Sequence, residues 1–137
     1  MTKYHELVLS ASDAEVLALM LGERRRQHAF ETAAADALAD LLVEARLVPH
    51  EELPADRVAM NSRVLYREEP GGMRRAVVLV HPIEADAAIG RISVLSPVGL
   101  ALLGRTPGAV VLADVPGDRT LTLRILETSR NRELRAA

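Results

Sequence analysis

The chain has 137 residues, 49% of them apolar and 26% charged, with a formal net charge of −2 at pH 7. These proportions suit about one globular domain, or a domain with a small appendage, and exclude a disordered or collagen-like chain. Cysteine is absent, which excludes disulfide staples, thiolate zinc sites and cysteine nucleophiles. No apolar run approaches the length of a membrane span and no basic-then-apolar leader opens the sequence, so the expected compartment is the cytoplasm.

Residues 12–21 (SDAEVLALML) predict a first helix. Ser12 and Glu15 are spaced as a capping box, Ala14, Leu17, Met20 and Leu21 fall at helical spacing, and Gly22 suits a stop. After the polar stretch ERRRQHAFE, residues 32–48 predict a second helix on Leu38, Leu41, Leu42 and Ala45, ended by Pro49. Two amphipathic helices on a short polar connection predict an antiparallel hairpin. Beyond Pro54 the pattern turns to strands. One is expected within residues 56–68, then a Pro70-Gly71-Gly72 turn, and a strand over 76–80 covered on both faces. A short strand over 91–95 and a short helix from Pro97 to Gly104 follow. Residues 109–115 and 120–127, joined at Pro116-Gly117, form the clearest hairpin, with Leu121, Leu123 and Ile125 on one face. Helices followed by strands predict an α+β fold in two modules, residues 1–50 and 51–137.

Little in the chain reads as an active site. His5, His28, His50 and His81 are scattered without metal-ligand spacing, and no serine sits in a nucleophile elbow. Gly99, Gly104 and Gly108 match no phosphate loop and suit a helix cap and turns. No metal and no cofactor is expected. The only aromatics are Tyr4, Phe30 and Tyr66, too few for a base-stacking platform or for the ring-walled pocket of a prolyl isomerase. Sixteen arginines are dispersed among nineteen carboxylates, so no basic stripe is visible and contact with DNA is expected only through a partner. The densest charge cluster is Arg24-Arg25-Arg26, flanked by Glu23 and Glu31. It suits either a phosphate or acidic-surface contact or a solvated connection between helices.

The stretch ISVLSPVGLALLG, preceded by VHPIEADAAIGR and followed by TPGAVVLADVPG, resembles the C-terminal domain of the Gre transcript-cleavage factors over residues 77–127. EELPADRVAMNSRV, residues 51–64, is similar to the "MNS" signature of the regulator of nucleoside diphosphate kinase (Rnk) family, Gre-like proteins with a shortened N-terminal hairpin. The resemblance implies a coiled-coil finger on an FKBP-like antiparallel β-sheet domain with one short helix, acting on bacterial RNA polymerase as a monomer. In Gre factors the globular domain docks at the mouth of the secondary channel, and the finger brings two acidic tip residues to a catalytic magnesium. Carried onto this chain, the docking turn falls on Ser96 and Pro97 with Leu95 and Val98 beside them, although a capping serine before proline also simply starts a helix. The tip does not carry over, because Arg24, Arg25 and Arg26 occupy its centre and would repel a divalent cation. Helices of about 10–12 and 16 residues also give arms of only about 15–25 Å. The implied function is polymerase binding without transcript cleavage, in competition with Gre factors. The alternative is an adaptor that binds nucleoside diphosphate kinase directly.

Overall fold

The computed structural model describes residues 6–27 and 32–130. Strand β1 (Val8–Ser10) leads into helix α1 (Ala11–Gln27), and helix α2 (Thr32–Glu44) leads into strand β2 (Arg46–Val48). Then follow β3 (Ser62–Glu69), β4 (Arg74–Val80), β5 (Arg91–Ser93), helix α3 (Pro97–Leu102), β6 (Val110–Val115) and β7 (Arg119–Arg130). The α+β order is as the sequence implies, with a helical pair first and a sheet after it.

The boundaries of the helical pair differ from the sequence reading. The cap of α1 is Ser10, whose fully buried hydroxyl accepts from the Asp13 amide at 3.0 Å. The Ser12–Glu15 box is displaced by this earlier start, and the Asp13 carboxylate instead accepts from the Met60 amide at 3.0 Å. Burial raises the Asp13 carboxyl above its ordinary range, against the opposing pull of that hydrogen bond. Gly22 lies inside α1 rather than ending it. Residues 23–27 are good helix formers, and cations near a helix C-terminus are favoured by its dipole, which together outweigh one glycine. Helix α2 stops at Glu44 because Arg46–Val48 pairs in parallel with Val8–Ser10, Leu9 lying opposite Leu47.

The main sheet has the order β5-β4-β3-β7-β6 and is antiparallel except for the β4–β5 edge. The strand expected within residues 56–68 begins at Ser62, after a turn in which Asn61 adopts φ 70° and the Ser62 hydroxyl accepts from the Ala59 amide at 2.9 Å. A β-bulge lies between Leu65 and Tyr66, in the pairing with β7. Strand β4 is covered on both faces only toward its end: Val77 and Leu79 are buried on one face and Val80 on the other, where Ala76 is exposed and Val78 half-buried. The β6–β7 hairpin forms as expected, with Leu123 and Ile125 fully buried and Gly117 at φ 91° in the turn.

One apolar cluster holds Leu9, Leu17, Leu38 and Leu41 of the N-terminal part together with Leu79, Leu102, Leu103, Leu123 and Ile125. Each such side chain contributes about 1.5–3 kcal/mol when fully buried. The Arg57 guanidinium adds a polar clasp, donating to the Glu6 and Gly104 carbonyls, both at 2.8 Å. Gly104, at φ 79° just past α3, turns the chain so that its amide donates to the Val58 carbonyl at 2.8 Å.

Candidate functional site

The segment from β5 into α3 is built around Ser93. Its carbonyl accepts from the Ser96 amide at 3.0 Å and from the Ser96 hydroxyl at 2.7 Å, while its own hydroxyl accepts from the Leu95 amide at 3.0 Å. The Ser96 hydroxyl also accepts from the Gly99 amide at 3.1 Å, with Pro97 in the first turn of α3. Serine as cap and proline just after it are what a helix start requires. Leu95 is buried and Val98 packs partly against the core, so Pro97 is the member of this turn that faces solvent. Gly99 is neither a cap nor a turn. It is buried inside α3 against β5, where a Cβ would collide with the Ser93 carbonyl oxygen and approach Val94 Cα at 3.0 Å.

Two short 3-10 turns, Pro82–Glu84 and Ala87–Ile89, pack beside β5 and expose Ile83 (85%) and Ile89 (61%). His81 Nδ1 accepts from the Ile83 amide at 3.2 Å and the Asp86 carboxylate from the Ala88 amide at 3.1 Å. Both side chains therefore shape the turns. The sequence reading passed over the two isoleucines, although isolated apolar residues in the polar run HPIEADAAIGR were the signal available.

Glu23, Arg25 and Arg26 are exposed along the last turns of α1. Arg24 belongs to the same helix, so the arginine triplet is helical rather than part of a connection, and Glu31 lies outside the described residues. With 17 and 13 residues, α1 and α2 are about 26 and 20 Å long.

Among the described residues no group of three or more histidines, cysteines or carboxylates could hold a metal ion. No helix there is long and apolar enough to cross a membrane. Tyr66, the one aromatic among them, is a core residue. On the sheet face turned away from the core, Glu69 Oε2 takes Arg124 Nε at 2.9 Å and Arg67 Nη2 at 3.1 Å. These hydrogen bonds, Arg124's first, hold the Glu69 carboxyl below its ordinary range.

Residues 53–130 match the family model described as transcription elongation factor GreA/GreB, C-terminal domain. The chain belongs to the Rnk/GreA–GreB family. The match spans the Asn61-Ser62 turn, β5, the Ser96-Pro97 turn and the β6–β7 hairpin. The "Regulator of nucleoside diphosphate kinase" of Escherichia coli (strain K12) is 40% identical over 93 residues, 68% of each chain. "Transcription elongation factor GreA" of Flavobacterium johnsoniae is 37% identical over 93 residues, 68% of this chain and 58% of that one. A solved GreA/GreB elongation factor from Nitrosomonas europaea is similar across 90% of this chain and 98% of its own, with 34% identity and a TM-score of 0.70.

Proposed function

We propose that this chain is a non-enzymatic transcription regulator that docks on core RNA polymerase at the mouth of the secondary channel and does not stimulate transcript cleavage. The observation that carries the reading is that the family match encloses the whole turn in which Leu95, Ser96, Pro97 and Val98 lie. In it Pro97 is exposed on a base hydrogen-bonded to Ser93. A proline held rigid in this way loses little conformational entropy on docking. Ile83 and Ile89, on the two short turns that pack beside β5, are also exposed.

The helical end supports the second half of the reading. Residues 1–50 act as a short antiparallel finger, and residues 51–137 as an FKBP-like module around α3. A finger about 26 Å long tipped by Arg25 and Arg26 repels a divalent cation instead of holding one. The protein works as a cytoplasmic monomer and competes with Gre factors for polymerase. The effect on nucleoside diphosphate kinase named in the Escherichia coli relative then follows from transcription.

Stalled elongation complexes test the proposal. Adding the chain is expected to leave transcript cleavage at its unassisted rate and to slow cleavage stimulated by a Gre factor. Stimulated cleavage that disappears on Glu23→Gln or Glu31→Gln would contradict it.

A further inference from the structure

The strand register gathers arginines that the sequence scatters. Arg74 of β4 lies opposite Arg67 of β3, and Arg67 lies opposite Arg124 of β7, so three guanidinium side chains leave one face of the sheet abreast. Neighbouring strands are about 4.8 Å apart. In a second row, Arg91 of β5 faces Val78 of β4, which faces Arg63 of β3. Arg63 and Arg67 are four residues apart on one strand, which separates the two rows by about 13 Å. The alternate positions Val64, Tyr66, Val77 and Leu79 are buried in the core, so the arginine face is the uncovered one, apart from Val80 at the end of β4. It carries five arginines against the three strand carboxylates Glu69, Glu127 and Asp114 and a fourth, Asp86, bridged to Arg91 at the edge, while the chain as a whole is at −2.

Like charges directly opposite each other on a sheet are destabilising. Glu69 relieves this between Arg67 and Arg124, and Arg74 extends the row as an exposed cation. Glu69 already answers two of these guanidinium groups, and the remaining cations are spread over the two rows. Two rows of them call for a polyanion with repeated charges, and the guanidinium fork fits phosphate oxygens. Among the described residues no aromatic reaches this face, and the groove on it, lined by Arg63, Leu65, Glu127, Thr128 and Ser129, holds only about 100 Å³. Bases have neither a stacking partner nor a pocket there. We propose that the uncovered face of the five-stranded sheet binds the phosphodiester backbone of nucleic acid without sequence preference. Such contacts are weak on their own, and they become effective when the protein is held beside the nucleic acid by another attachment.

The test needs no polymerase, so its failure would leave the docking proposal standing. Fluorescence anisotropy of the full chain is measured with labelled duplex DNA and with single-stranded RNA of equal length, over a salt series. Binding of one or both is expected at low salt, with a Kd of about 10⁻⁵ M that weakens steeply as salt rises. The variant R63E/R74E/R91E, with a circular dichroism spectrum matching the parent, is expected to bind at least about tenfold more weakly. The single variants R74E and R91E should each lower the salt slope by about 1. R25E/R26E, altered at the helical tip, should bind like the parent. The proposal is overturned by no binding to either nucleic acid at low salt, by sheet-face variants that bind like the parent, or by loss of binding in the tip variant alone. Tighter capture of polyglutamate than of nucleic acid would equally overturn it in favour of an acidic protein partner.

Discussion

Gly99 sets how closely α3 can sit against β5. The two nearest atoms a side chain would meet there are the Ser93 carbonyl oxygen and Val94 Cα, with the Ser96 hydroxyl at 3.1 Å; the first two are backbone and unable to step aside as a flexible side chain could. Gly99→Ala is therefore expected to destabilise the fold by about 2–3 kcal/mol, read as a lower urea midpoint. An unchanged midpoint would show that α3 sits less tightly than described. At this scale the sequence was legible where the chemistry is local. Ser96 before Pro97 announces a cap, because the acceptor and the Gly99 amide are three residues apart. It was misleading at Ser12, since Ser10 offers the same hydroxyl two residues earlier. The choice between them involves Asp13, whose carboxylate is claimed by the Met60 amide 47 residues away. The role of Asn61 and Ser62 was equally hidden, because their turn closes on the Leu79 carbonyl across the β3–β4 pair.

Helix α1 tests the same distinction at the scale of an element. Gly22 was expected to stop it, yet the helix continues to Gln27. A methyl group at Gly22 would meet only Arg26 Nη1, at 3.7 Å, an ordinary contact. Gly22→Ala is thus expected to raise stability by about 0.5–1 kcal/mol, measured by thermal or urea unfolding. A cap glycine in the left-handed region would give the opposite sign, so destabilisation would restore the shorter helix. The end of α2 was illegible for a different reason. Residues 45–48 continue an apolar pattern compatible with a helix, and only pairing with Val8–Ser10, nearly forty residues away, makes them a strand. Three-residue strands are too short to announce themselves by alternation. The β6–β7 hairpin was readable throughout, since its turn and both alternating arms are contiguous.

For the whole molecule, composition gave the net charge and was silent on its placement. The count of cations against carboxylates suggested no basic surface, whereas register places Arg63, Arg67, Arg74, Arg91 and Arg124 on one face. The turn proposed to dock and the helical tip were singled out through motif and position, and the structure adds which of their residues face solvent. Leu95 is buried, Pro97 is exposed, and Ile83 is exposed on a separate turn beside β5. The account rests on the Ser96-Pro97 turn gripping the polymerase. The most direct measurement is the affinity of core RNA polymerase for the full chain and for Pro97→Glu, with an authentic Gre factor as competitor. The expected result is saturable binding of the parent, displacement by the Gre factor, and at least about tenfold weaker binding, or about 1.4 kcal/mol, for Pro97→Glu with its melting temperature unchanged. No binding of the parent, or equal affinity for a folded Pro97→Glu, would contradict it.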